Sequence, residues 1–317
     1  MDIGKERVGN RKMIDAFDNK IAYLAREDSR IIVVGADDGR YESRMTGQLE
    51  NQYLNVGISE CNAIGMAAGL SCCGKVPFVT AGGTFLVHRA NEFIRNDICM
   101  QNRNVKIVAL GAGVALNALG NTQHLTEDIA SLRVFPNLKV LCAASPKEAE
   151  YIAEIAVKEV GPMYIRLGRC EGQDIYLNYD LHFELGRMQH LVSGKDMTIF
   201  STGTIIAEVM EALPVLKDMG IQAEVINVHT LKPIDKECVL HEASRTGKFI
   251  TVEEHSSFGG LYGIISEIVT QNGLAVKMKG IGLNDCFAKG YGSYKDIKQR
   301  NGLSAKQIIE YANELMK

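Results

Sequence analysis

The sequence contains no C-x-x-C pair, no G-x-G-x-x-G fingerprint, no internal repeat and no low-complexity stretch. Eight cysteines are present, with Cys72 and Cys73 as neighbours, but their spacings match neither a disulfide framework nor a structural zinc site. A reducing, cytoplasmic setting is the expectation. No apolar run approaches membrane-spanning length, so no membrane partner is expected. The segment Met1–Arg7 is charged where a secretory signal would be apolar. A net charge of -3 lacks the basic excess that points to nucleic acid.

At 317 residues, 46% hydrophobic and 23% charged, the chain suits two globular domains with sizeable cores. Apolar residues at helical spacing over 11–26 precede a β-branched run, Arg30–Gly35, that reads as a buried parallel strand. Asp37-Asp38-Gly39 follows as a solvated turn, and 40–52 as loop. Further strands are expected at Val76–Thr80, Asn104–Gly111, Leu138–Val140 and Gly161–Arg169. A helix opens at Pro146, with Ser145 as N-cap. A second alternating pattern starts at Met197, with helices over 205–219 and 235–246 and strands over 223–228 and 248–252. Such alternation predicts an α/β fold of two domains, each a mainly parallel sheet covered by helices. Ser201-Thr202-Gly203-Thr204 reads as a strand-to-helix turn rather than an anion cradle.

The chain is organised around Asn55–Arg89. A lone acid, Glu60, opens a run of small apolar residues, and Gly82-Gly83-Thr84-Phe85 follows the next strand. An acid in a first helical turn favours the helix dipole, and that ordinary reading competes with a chemical one. If Glu60 is buried in apolar surroundings, its pKa rises and it can donate a proton to a ring nitrogen. The glycines let backbone approach a flat ligand, and Phe85 is either core or a stacking surface.

Gly57-Ile58-Ser59-Glu60 with Gly82-Gly83-Thr84-Phe85 resembles the pyrimidine-binding domain of transketolases. Glu127-Asp128-Ile129-Ala130-Ser131-Leu132-Arg133, Pro136-Asn137-Leu138-Lys139-Val140 and Glu253-Glu254-His255 extend the resemblance to the C-terminus. It implies a pyrimidine-binding domain over 1–180, a linker over 181–194 and a transketolase C-terminal domain over 195–317. It implies thiamine diphosphate as cofactor: Glu60 protonates the aminopyrimidine, Phe85 stacks on it, and Ile58 and His88 border it. Arg169 matches an arginine that grips a sugar phosphate, as a bidentate guanidinium suits. Glu253, Glu254 and His255 are expected to be structural or interfacial, and Arg166 to pair with a neighbour.

The loop over 112–125 departs from the family. Gly111 stands in place of a histidine and Leu119 in place of a sugar-reading acid, and Gln123-His124 inverts a His-Gln pair. His124 is a candidate acid–base residue and Gln123 a candidate substrate contact, in an enzyme with an altered donor. The diphosphate-binding domain and its G-D-G motif are missing, so no metal ligand is expected here and Mg2+ falls to a partner. The resemblance therefore implies the C-terminal subunit of a split, two-subunit enzyme, in an α2β2 assembly with an N-terminal subunit carrying G-D-G. The reaction implied is transfer of a two-carbon ketol unit from a ketose to an aldehyde. The β subunit of a 2-oxoacid dehydrogenase, a deoxyxylulose-phosphate-synthase-like enzyme and a non-catalytic regulatory subunit stay open as alternatives.

Overall fold

The computed structural model describes residues 13–169, 175–177 and 181–317. Arg11, Lys12 and Cys170 lie outside them. The first half carries α1 (Met13–Glu27), β1 (Ile31–Gly35), β2 (Tyr53–Asn55), α2 (Glu60–Cys72), β3 (Val76–Gly82) and α3 (Asn91–Phe93). It continues with β4 (Lys106–Leu110), α4 (Asp128–Leu132), β5 (Lys139–Ala143), α5 (Pro146–Lys158) and β6 (Met163–Leu167). The second half carries β7 (Gln189–Val192), β8 (Met197–Thr202), α6 (Ile206–Asp218), β9 (Ala223–Asn227), β10 (Thr230–Lys232) and α7 (Lys236–Arg245). It ends with β11 (Lys248–Ser256), α8 (Leu261–Gln271), β12 (Lys277–Leu283), α9 (Tyr294–Arg300) and α10 (Ala305–Met316).

Two sheets form, in the orders β10-β5-β6-β4-β3-β1-β2 and β12-β11-β8-β9-β7. All pairings are parallel except β10 with β5 and β7 with β9. Ile31–Gly35 is buried at every position, which is why an unbroken β-branched run marks it. Ser145 Oγ accepts the Glu148 N–H at 3.1 Å and caps α5, with Pro146 in the first turn.

β10 comes from the second half of the chain yet extends the first sheet, pairing Thr230 with Leu141. One apolar core runs between the sheets, from Ile64, Ile107 and Val140 to Phe200, Phe249 and Leu261. The outer faces pack separately, against α1 and α5 on one side and against α6 and α10 on the other. Between the sheets, Arg166 Nη2 donates to the Glu254 carbonyl at 2.7 Å and Nε to Asp128 Oδ2 at 2.8 Å. Glu253 accepts the N–H groups of Leu261 and Tyr262 at 2.6 and 2.9 Å, closing the start of α8. His255 Nε2 accepts the Ala130 N–H at 3.3 Å. Glu254 and His255 thus join the two halves, whereas Glu253 holds the start of α8 within the second.

Two local readings change. Residues 40–52 are not plain loop: 3-10 turns at Gly39–Tyr41 and Gly47–Gln52 bury Tyr41, Met45 and Leu49. Asp38 is not a solvated turn residue. Arg40 Nε and Nη2 donate to its carboxylate, each at 2.8 Å, and Thr80 Oγ1 donates at 2.5 Å.

Candidate active site

The turn after β2 places Glu60. Gly57 sits at φ +70, a left-handed conformation that glycine adopts without steric cost. Ser59 Oγ donates back to the Val56 carbonyl at 2.8 Å. Glu60 then opens α2 and is only 3% exposed. Its surroundings are not purely apolar as expected: Oε2 accepts a hydrogen bond from Arg89 Nη1 at 2.6 Å. Ile58, in the same turn, is 72% exposed.

β3 runs two residues further than expected, so Gly82 ends the strand and Phe85 begins a π-helical turn, Phe85–Arg89. The Arg89 guanidinium carbon lies 5.3 Å from the Phe85 ring centre. Phe85, half-buried, is therefore neither closed core nor a bare platform. A Cβ on Gly83 would fall 2.4 Å from Leu125 Cδ2 and 3.0 Å from the Leu110 carbonyl. Gly83 is therefore required by packing against the 112–125 loop, not by approach to a ligand.

His88 leaves the same turn toward Glu127, with Nε2 3.6 Å from Oε2. Burial pushes the Glu127 carboxyl up, but the nearby His88 ring and hydrogen bonds from Thr126 outweigh it and hold the pKa below the ordinary value. The loop over 112–125 is pinned at its base by paired Gly113 and Leu125 N–H groups, each 2.9 Å from the other's carbonyl. His124 is 4% exposed, and neither ring nitrogen has a hydrogen-bond partner. Burial lowers its pKa against a weaker opposing pull from Glu127. The ring is thus a neutral group with an unsatisfied donor and an unsatisfied acceptor. Gln123 is partly buried and Leu119 exposed on the same loop.

Arg169 follows β6, exposed, with Nη1 donating to Asn117 Oδ1 at 3.0 Å and its guanidinium carbon 5.8 Å from the Tyr294 ring centre. Asn117 Nδ2 in turn donates to the Gly292 carbonyl at 2.5 Å. A Cβ on Gly120 would lie 2.5 Å from the Tyr291 ring. The second half of the chain thereby frames the loop that carries Gln123 and His124.

The sequence candidates sort into two groups. Glu60 and Phe85 meet through Arg89, and His124 adjoins their turn because its neighbour Leu125 packs on Gly83. Arg169 belongs to the Asn117 side of the same loop. Sequence reasoning set Arg89 beside His88 at a position where the family carries pocket residues but gave it no role, and it gave none to Glu127 or Asn117. The Arg89 and His88 side chains leave the turn toward different carboxylates.

A buried acid, a half-open phenyl face and an exposed aliphatic side chain suit the ring of a flat heteroaromatic group. Among the described residues, the turns after β1 and β8 are not open to a diphosphate. Asp38 is consumed by Arg40 and Thr80. The turn after β8 is filled, since a Cβ on Gly203 would lie 2.8 Å from Cys142 Sγ and Thr202 Oγ1 donates to the Val228 carbonyl at 2.8 Å. Among the described residues no group of three His, Cys, Asp or Glu side chains is placed to hold a metal ion.

Comparison with known proteins gives a consistent result. Residues 10–173 match the family of the transketolase pyrimidine binding domain, and 186–308 that of the transketolase C-terminal domain. The chain is 34% identical over 305 residues to a subunit of the apulose-4-phosphate transketolase of Phocaeicola vulgatus, covering 95% of this chain and 96% of the relative. It is 35% identical over 298 residues to a putative transketolase C-terminal section of Methanocaldococcus jannaschii, covering 93% of each. Among solved structures, a split gene transketolase described as an inactive beta4 tetramer superposes with a TM-score of 0.86 at 34% identity, covering 96% of this chain and 98% of that one.

Proposed function

This chain belongs to the transketolase family, spanning its pyrimidine-binding and C-terminal domains, and on that premise we propose that it is the C-terminal subunit of a split, thiamine-diphosphate-dependent transketolase. The enzyme would move a two-carbon ketol unit from a ketose, as its phosphate, to an aldehyde. Residues 1–180 would make up the pyrimidine-binding domain and 195–317 the C-terminal domain, joined by 181–194, whose last part enters the second sheet as β7. The partner is an N-terminal subunit that supplies the G-D-G motif and Mg2+, in a cytoplasmic α2β2 assembly.

The observation that carries this reading is the buried Glu60 carboxyl beside the half-open Phe85 face, which together suit the ring of a flat heteroaromatic group. Sites of this kind lie where domains or chains meet. The description of the 34% identical split-gene relative as an inactive beta4 tetramer supports a need for a partner.

Thiamine diphosphate, when bound, supplies the nucleophilic carbon that carries the ketol unit. Glu60 holds a proton at the aminopyrimidine ring nitrogen. Phe85 orients the ring by its face, and Ile58 and His88 limit access of water at its edge. Arg169 binds the phosphate of the substrate through its planar donor fork. Gln123 contacts a sugar hydroxyl. His124, neutral at its low pKa, takes or returns a proton at a sugar oxygen.

Calorimetric titration of thiamine diphosphate and magnesium, into this chain alone and with the partner, tests the reading. Tight binding with the partner alone, followed by ketol transfer in a donor screen, is expected. Tight binding by this chain alone would overturn the shared site. Release of carbon dioxide from a 2-oxo acid would overturn the reaction.

A further inference from the structure

Arg89 touches both groups that the cofactor reading assigns to the aminopyrimidine. Its Nη1 donates to Glu60 Oε2 at 2.6 Å, and its guanidinium carbon stands 5.3 Å from the Phe85 ring centre. A guanidinium is planar, with donors in its plane and a cationic face, so it meets a carboxylate edge-on and an aromatic ring face-on. An aminopyrimidine would use the same two surfaces. The two ligands require opposite states of Glu60: Arg89 pairs with the ionised carboxylate, whereas a ring nitrogen that accepts a proton requires the acid. They therefore exclude each other by space and by charge.

We infer that Arg89 is a further residue of the cofactor site, an internal stand-in that occupies Glu60 and Phe85 until the aminopyrimidine displaces it. The inference rests on the thiamine reading above. The Arg89 side chain is 50% exposed, so it can swing into water without opening the core. Its hold is correspondingly modest. A half-exposed ion pair and one cation–π contact together correspond to roughly a tenfold change in affinity. Displacement is thus within reach of a cofactor anchored at its diphosphate end by a partner. A pyrimidine fragment without that anchor is held off by the same competition.

The test uses the chain assembled with its partner in magnesium, titrated calorimetrically with thiamine diphosphate as wild type, R89M and R89K. R89M is expected to bind about tenfold more tightly than wild type, because nothing competes for Glu60 or Phe85. R89K, which keeps the charge without the planar face, falls between them. A second readout needs no cofactor: in the chain alone, the Arg89 guanidinium N–H resonances are expected to be slowed in exchange, and E60Q to shift them. Equal or weaker binding by R89M, or Arg89 resonances indifferent to E60Q, would overturn the inference. If no form binds the cofactor while the resonances still respond to E60Q, the thiamine reading has failed and the inference falls with it.

Discussion

Arg166 and Asp128 form a fully enclosed ion pair at the junction of the two sheets, with Nε 2.8 Å from Oδ2 and both side chains almost inaccessible. Tyr164 Oη also donates to Asp128, at 2.5 Å, and Arg166 Nη2 reaches the carbonyls of Leu125 and Glu254 at 3.2 and 2.7 Å. Burial alone disfavours the charged guanidinium, but Asp128 leads the interactions that keep its pKa well above the usual value. Removing one partner strands the other charge. Arg166→Met is expected to cost about 3–5 kcal/mol in denaturant unfolding. R166M combined with D128L should cost less than either single change, and a double-mutant cycle measures the difference.

Glu60→Gln keeps an amide oxygen for Arg89 but no acid for a ring nitrogen. In the assembled enzyme it should lower kcat by roughly 10²–10⁴-fold while thermal unfolding of the chain barely moves. Steady-state kinetics beside a melting curve separates the two. Retained activity would support a regulatory subunit instead.

His229 makes stability depend on pH. It is fully buried, its ring centre lies 4.0 Å from that of Phe183, and burial lowers its pKa from 6.5 to about 4. The unfolded chain therefore binds the proton more readily. The neutral ring contributes stability that is fully present above about 6.5 and is lost as pH falls through about 4. The expected slope in that window is about 1.4 kcal/mol per pH unit. Denaturant unfolding from pH 7 to 4 should show it, and His229→Gln should flatten it.

Gly83→Ala places a methyl group against Leu125 and the Leu110 carbonyl. The expected cost is about 1–3 kcal/mol from overpacking. Leu125→Ala alone also destabilises, by leaving a cavity. The double variant should cost less than the sum, since the cavity admits the new methyl group. Because Leu125 adjoins His124, G83A should also change the His124 ring resonances, which NMR reads directly.

The architecture was legible in the order of the residues alone. β-branched runs such as Ile31–Val34 and capped amphipathic helices such as Pro146–Lys158 are local patterns, and local hydrogen bonding with burial of one face produces them. The motifs around Glu60, Phe85 and Glu253–His255 were likewise legible, because they are short and contiguous. What those residues touch was settled by folding in three dimensions. Arg89 and His88 are adjacent in the chain, yet one reaches Glu60 and the other Glu127, 29 and 39 positions away. Asp38 reads as a solvated turn until Arg40 and Thr80 enclose it. β10 joins the first sheet across 89 residues, from Thr230 to Leu141. Each is a contact between segments far apart in sequence, where packing and charge pairing override the local preference that a pattern records.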